Sequence, residues 1–348
     1  MPISTALDET RAEIVEPISS RDVAALAANG SIRVVQASSP LRLSSWIRLN
    51  AELFPQRPDV QLRVYGFYSS RCDLSFVSEM SNIRHFAADC LQRATNVEAV
   101  AEIPGLRSLS IGIFDLDDFG FLDHVPRELS RLFLGATRSR RPSLEPLSRF
   151  HRLRELSLEG QQKNIDVVAQ LDRLENLTLR SISVQHLRFL TALRNLWSLS
   201  IKLGGTRDLS ALQGIESLKY LEIWQVRELA DVTVISDLSE LQNLLLQSLP
   251  RIASVPFLEN CTGLRRIVLD NMRGLRDLSA LEAAPALEEF LLLQGGACQP
   301  KQLAPVLRNP NVVRVGAFFG SEKRNRAFAA MAEASAKSRF DWYPFEYR

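Results

Sequence analysis

A chain of 348 residues that is 46% hydrophobic but only 7% aromatic has the apolar mass for a large core, and that core must be mostly aliphatic. The formal net charge is +2 and no stretch gathers Lys and Arg into an electrostatic footprint, which excludes nucleic acid as a partner. No apolar run approaches roughly 18 residues, and residues 1–16 lack a basic start followed by an apolar run, so neither a membrane span nor a signal peptide is read and a cytoplasmic protein is expected.

Residues 1–58 read as an N-terminal cap, with a helix around 22–28, a strand at 32–35 and a helix over 44–54 that turns Trp46 and Leu49 inward. Residues 59–320 are governed by a period. The segment Leu-x-x-Leu-x-Leu returns every 21 to 25 residues, starting at Ile83, Leu106, Leu129, Leu153, Leu174, Leu196, Leu218, Leu241, Leu264, Leu287 and, weakened, Val312. A degenerate copy precedes them at Leu62 and Val64.

Two further apolar columns keep step with these starts. One lies six residues before them, as at Val168, Leu190, Leu212 and Ile235, and the other nine before, as at Ile165, Leu187, Leu209 and Val232. Only the repeat starting at Leu129 breaks the columns, with Asp123 six residues back, so a slip of one residue or a bulge is expected over 119–124.

Within the motif the fourth and sixth positions alternate inward as in a strand, and the residues between them face out. Each unit buries half a core and needs its neighbours to cover the rest, which stacks the strands into one parallel sheet about 4.8 Å apart with turns and short helices opposite. The bulkier turn side bends the stack and leaves the sheet on the concave face. The fold class expected is α/β, a repeat solenoid capped at both ends.

The run Leu218-Lys219-Tyr220-Leu221-Glu222-Ile223, preceded by Asp208-Leu209-Ser210-Ala211-Leu212, resembles bacterial leucine-rich repeats of the internalin-like kind. The resemblance spans roughly 59–320 and implies a horseshoe that binds its ligand on the concave sheet. One departure stands out: the family places Asn three residues after the motif's last Leu, where this chain has Gln161, Ile182, Gly204, Val226, Leu249, Met272 and Gly295. The turn backbone there must close its hydrogen bonds by other means, with apolar packing in place of the amides.

A solenoid exposes apolar layers at its ends. The C-terminal cover expected is 321–348, a helix over 321–337 with Phe328, Met331 and Ala332 on one face, then the aromatic tail 340–347 as a lid over the last strand. The other reading of the tail is a partner-docking segment.

No catalytic constellation is found. His85, His124, His151 and His186 fall at unrelated points of the repeat, and Cys72, Cys90, Cys261 and Cys298 lack metal-ligand spacing and read as reduced core thiols. The acidic group Asp115, Asp117, Asp118 and Asp123 lacks the glycine-punctuated loop of a calcium site and reads as a solvated turn, as does the basic run Arg138, Arg140 and Arg141. Gly204-Gly205 and Gly295-Gly296 end strands without the spaced glycines of a phosphate loop. No enzyme, cofactor or metal is expected.

The outward rows of the sheet are therefore where function is sought. The third, fifth and seventh motif positions project from it. They assemble a mixed patch of Arg180, Lys202, Tyr220, Glu222 and Trp224, continued by Arg266 and Asp270, and beside it an apolar stretch of Leu245, Val268, Leu291, Leu293 and Phe318 that the tail is able to cover. Aromatic and Arg anchors of this sort are what interfaces favour. The expectation is a non-catalytic module that binds a partner protein there, with a bacterial immunity or regulatory role by analogy. A delivered effector using the repeats to select a host target is the alternative, and an enzyme with a cryptic site is the least favoured. Partner identity and oligomeric state are left open.

Overall fold

The computed structural model describes residues 3–5, 9–68, 70–139 and 141–348, so Arg140 of the basic run lies outside the described residues. The chain divides into two compact units, Met1–Leu171 and Asp172–Arg348.

In the first unit the strands β1 (Ile3–Thr5), β2 (Arg11–Ile14), β3 (Val34–Ala37), β4 (Gln61–Tyr65), β6 (His85–Leu91), β8 (Ser108–Ile113), β9 (Arg131–Leu134) and β10 (Glu155–Glu159) lie side by side in that order. β1 runs antiparallel to β2, and the remaining pairs are parallel. The two-residue strands β5 (Cys72–Asp73) and β7 (Ala94–Thr95) pair separately. Helices α1 (Ser20–Ala28) and α2 (Leu43–Glu52) cover the start, and Trp46 and Leu49 are buried as expected, Trp46 stacked 4.1 Å from the ring of Phe76.

In the second unit β11 (Asn176–Arg180), β12 (Ser198–Lys202), β13 (Tyr220–Trp224), β14 (Asn243–Gln247), β15 (Arg266–Asp270), β16 (Glu289–Leu293), β17 (Arg314–Ala317) and β18 (Ser338–Arg339) are parallel throughout. The short helix α3 (Ala304–Arg308) precedes β17. Helix α4 (Glu322–Ala334) follows it and buries Phe328 and Ala332, while Met331 stays half-buried.

Each motif start is followed two residues later by a strand, and the register matches position for position: Leu177, Leu199, Leu221, Leu244, Ile267 and Phe290 form one buried row and Leu179, Ile201, Ile223, Leu246, Leu269 and Leu292 the next. Full burial of such a side chain stabilises by about 1.5–3 kcal/mol, so every layer contributes through the same few positions. The two preceding columns carry the opposite side, in 3-10 helices such as Ser210–Gly214 and Thr233–Asp237. Their first turns are closed by aspartates: Asp208, Asp231 and Asp277 each accept the amide two residues on, at 2.8 Å. The repeat before Leu129 does slip by one residue, so that Phe119 and Leu122 take the buried places and Asp123 turns out.

Backbone geometry replaces the missing Asn ladder. The residue after each of β11 to β15, Ser181, Leu203, Gln225, Ser248 or Asn271, is left-handed, with φ between 50° and 57°. Each donates its N–H to the carbonyl ending the next strand: Ser181 to Lys202 (2.7 Å), Leu203 to Trp224 (2.9 Å), Gln225 to Gln247 (2.8 Å), Ser248 to Asp270 (2.9 Å) and Asn271 to Leu293 (3.0 Å). The strain of a left-handed residue, roughly 1–2 kcal/mol, is offset by a hydrogen bond that carries the ladder past the strand's end. Behind this turn Ile182, Val226, Leu249 and Met272 are buried, so apolar packing does fill the amide positions. Gln161 alone behaves like the expected amide, fully buried, donating to the Gly135 carbonyl at 2.8 Å and accepting the Glu159 amide at 3.1 Å.

Cys72, Cys261 and Cys298 are buried thiols, but Cys90 is exposed, which corrects its assignment to the core. It lies inside β6 with φ 52°, at the irregularity between Ala88 and Leu91 where the pairing with β8 shifts register, and its side chain leaves the layer there.

Candidate functional site on the open face of the second unit

The seventh positions of β11 to β16 run Arg180, Lys202, Trp224, Gln247, Asp270 and Leu293, each opposite the next. Arg180 and Lys202 both approach the indole of Trp224, the guanidinium carbon at 5.6 Å and the ammonium nitrogen at 6.0 Å from the ring centroid, within cation–π range. Lys202 Nζ also bonds Glu222 Oε2 at 2.7 Å. The same oxygen accepts the Ser200 hydroxyl at 2.9 Å and the Tyr220 hydroxyl at 3.3 Å. Burial, then the negative charge of Glu222, pushes the Tyr220 phenol well above its usual range, so it stays a donor. The structure thus brings Arg180, Lys202, Tyr220, Glu222 and Trp224 together, the middle three by hydrogen bonds and an ion pair and Arg180 and Trp224 by cation–π contact, and Trp224 remains half-exposed.

Arg266 and Asp270 lie elsewhere. Arg266 is buried in a ladder of alternating charge: Glu289 accepts from Arg266 Nε at 2.5 Å and from Arg314 Nε at 2.7 Å, across directly paired positions of β15, β16 and β17. Over its guanidinium stand three rings of the tail, Tyr343 at 4.9 Å, Phe345 at 5.0 Å and Phe340 at 5.4 Å. Its Nη2 has no hydrogen-bond partner, so the ring faces supply what water would. Asp270 is also buried, with Oδ2 accepting Gln247 Nε2 at 2.7 Å and Oδ1 unpartnered. Burial holds its carboxyl above the usual range.

The tail covers the apolar stretch. Phe340 packs on Val268 and Leu291, flanked by Leu245 and Leu293, while Phe318 stays exposed. Gly316 gives this packing room: a Cβ there would stand 2.7 Å from Leu291 Cδ1 and 3.2 Å from Phe340 Cβ. The chain then crosses the strands backward. Arg266 donates to the Tyr343 carbonyl at 3.3 Å and Arg265 to that of Glu346, the Phe345 ring lies 4.6 Å from the Arg265 guanidinium, Tyr347 meets Trp197 edge-on at 5.2 Å, and Arg348 ends on Lys219 and Gln242.

Outward-row reasoning missed Trp197, Lys219, Gln242 and Arg265, which occupy the second motif position at the strands' leading edge. A signal is present in the sequence: in successive repeats that position holds a long or large side chain, able to reach the open face from the strand's edge although strand alternation assigns only the third, fifth and seventh positions to it.

No family model and no curated protein matches the chain. Among solved structures, an internalin of Listeria monocytogenes is similar over 88% of this chain and 86% of its own, with a TM-score of 0.60 at 18% identity. The fold is a leucine-rich-repeat solenoid. A leucine-rich-repeat protein of Leptospira interrogans is similar over 94% of this solenoid and 93% of its own chain, with a TM-score of 0.54 at 14% identity. At such identities the likeness carries the fold, and the chemistry of the open face has to be argued from the residues.

Proposed function

We propose that this solenoid is a non-catalytic protein-binding module whose partner docks on the open face of the second unit around Trp224. The observation that carries the reading is the half-exposed indole of Trp224 with the Arg180 and Lys202 cations over its ring, and Glu222 fixed beside it by three donors. A large apolar anchor framed by oriented charges is the composition from which a few residues supply most binding energy. Within this reading the chain acts by occupying its target's surface, as an immunity or regulatory protein does, and it works in the cytoplasm. Burial pushes the Cys72 thiol up to about 12 and Cys261 to about 11, which keeps both protonated, and buried unpaired thiols suit a reducing compartment.

The test identifies the partner by pull-down from the native organism and measures affinity by calorimetry. The double variant Trp224→Ala, Arg180→Ala should fold normally by circular dichroism and bind far more weakly, each truncation costing about 2 kcal/mol or more. Glu145→Ala, on a 3-10 helix of the first unit, should bind as the parent does. Weakened binding by the control alone would move the interface off this face.

A further inference from the structure

Part of the open face of the second unit is already occupied by a peptide, the chain's own tail. The last backbone bond from the tail into the sheet is Phe340 N–H to the Val315 carbonyl, at 2.9 Å. Beyond it, residues 341–348 are held by side chains. Arg266 and Arg265 hold the Tyr343 and Glu346 carbonyls, Lys219 Nζ and Gln242 Nε2 the Arg348 carbonyl at 2.7 and 2.8 Å, and Gln242 Oε1 accepts the Arg348 amide at 2.8 Å. This is how a groove holds an extended ligand: main-chain groups are bonded without regard to sequence, and side chains at alternate positions read it.

The alternation is explicit. Tyr343, Phe345 and Tyr347 sit at i, i+2 and i+4, as on one side of an extended segment. Tyr343 lies 5.3 Å from the Arg314 guanidinium, Phe345 4.6 Å from that of Arg265, and Tyr347 against Trp197. Anchorage is uneven, however. Phe340 is buried, whereas Trp342 is 65% exposed and Tyr343 and Tyr347 are each 38% exposed. A segment with few buried apolar contacts opens locally at small free energy. Its far end abuts the candidate patch, since Asn243 Nδ2 meets the Tyr347 hydroxyl at 3.4 Å on the strand next to Tyr220 and Trp224.

We propose that the channel along Trp197, Lys219, Gln242, Arg265 and Arg266 is a recognition site for an extended segment of the partner protein with aromatic residues at alternate positions, and that the tail from Asp341 onward is its exchangeable resident. This rests on the protein-binding reading and adds to it the chemistry of the ligand. A tethered tail competes at an effective concentration on the order of millimolar, so an isolated segment displaces it poorly. A partner that also engages Trp224 couples the two contacts and displaces it. The tail thereby sets a threshold that admits only ligands carrying both features.

The test uses the full chain and, as probe, a fluorescent synthetic peptide of residues 341–348 read by anisotropy. Phe345→Ala with Tyr347→Ala loosens the resident, and this variant should bind the peptide at least tenfold more tightly than the parent chain. Adding Arg265→Ala should abolish the gain. Adding Trp224→Ala should leave it intact, which separates failure of the channel from failure of the Trp224 interface. A loosened chain, folded by circular dichroism, that binds no better than the parent would overturn the proposal, as would indifference to Arg265. Should the loosened variant not fold, limited chymotrypsin digestion of the parent chain decides: a tail that resists cleavage after Trp342 and Phe345 for as long as β15 and β16 resist would be a fixed lid and sink the idea, and cleavage there while the sheet stays intact supports it. Sedimentation showing a tail-dependent dimer of the parent would replace the partner's segment by a second copy's tail, against the proposal.

Discussion

Arg266 and Glu289 face each other across β15 and β16 with Nε 2.5 Å from Oε2, and only 6% and 4% of their side chains are exposed. Taking two charges out of water is costly, and the pair is tolerated because Arg314 bonds the other carboxylate oxygen and aromatic rings of the tail cover Arg266. Glu289→Ala should therefore lower unfolding free energy by about 3–5 kcal/mol, since it leaves a buried guanidinium uncompensated. Urea denaturation measures this, and a loss below about 1 kcal/mol would mean that the rings alone sustain Arg266.

Leu221 and Leu244 belong to the buried fourth-position row, each fully buried between neighbouring layers. Replacing either by Ala should cost about 2–5 kcal/mol, the lost transfer energy plus that of the cavity left behind. A thermal melt indifferent to both would contradict their place in the core. Lys219, outside the core columns, should leave the core intact when changed to Ala. Its effect belongs to the tail, whose Arg348 carbonyl it holds.

The inward rows were legible because burial on a strand repeats every second residue and the repeat itself fixes the register: Leu199, Leu221 and Leu244 occur at one motif position and are buried at one depth. The slip at Phe119 and Leu122 was legible for the same reason, as a column interrupted by Asp123. The left-handed ladder was not. Ser181, Leu203, Gln225 and Ser248 share a backbone conformation and a hydrogen bond but no side-chain chemistry, so composition carries no trace of it. In the candidate site, the outward rows placed Arg180, Lys202 and Trp224 together correctly, because these are neighbours through the repeat. Arg266 was placed on the same surface, yet it lies beneath a segment that returns from some eighty residues further along the chain. A periodic pattern has no means of recording which of its exposed positions a non-periodic tail covers.

Asp270 supplies a pH-dependent test. Burial raises its folded carboxyl above the unfolded value of about 3.9, so the neutral form is the one the fold prefers. The stability this gives is fully present below the unfolded value and is lost as pH rises through the folded one. Asp270→Asn, which removes the charge, should raise the melting temperature at pH 7 and gain progressively less as pH falls toward 3. An equal gain at every pH would assign the effect to packing instead of charge.

The turn aspartates act with the opposite sign. Asp208, Asp231 and Asp277 accept amides two residues on, and those hydrogen bonds hold their carboxyls below the usual range. Their contribution is present above the unfolded value of about 3.9 and disappears as pH falls through the lowered folded values. The triple variant to Ala should melt lower than the parent at pH 7, and the gap should close in acid, where the parent's carboxyls are protonated as well. A gap that persists undiminished in acid would show that the side chains matter for something other than charge.

Gly316 controls the seat of the tail. Its missing Cβ leaves room for Leu291 Cδ1, which a methyl would crowd at 2.7 Å, and for Phe340 Cβ at 3.2 Å. The Leu291 methyl is the end of a flexible side chain and is able to turn away. Phe340 has less freedom, because its amide is bonded to the Val315 carbonyl and β18 pairs just before it. Gly316→Ala should accordingly be absorbed with little change, whereas Gly316→Val, with two branches at the crowded atom, should lift Phe340 from Val268 and free the residues beyond it. Limited digestion with chymotrypsin checks this by mass spectrometry, since Phe340, Trp342, Phe345 and Tyr347 are all cleavable once the segment leaves the sheet. Cleavage in the tail should be several-fold faster for the Val variant than for the Ala variant, while β11 to β16 resist in both. Equal tail cleavage in the two variants would show that Phe340 does not anchor the segment, and that its hold lies with Arg265, Gln242 and Lys219 further on.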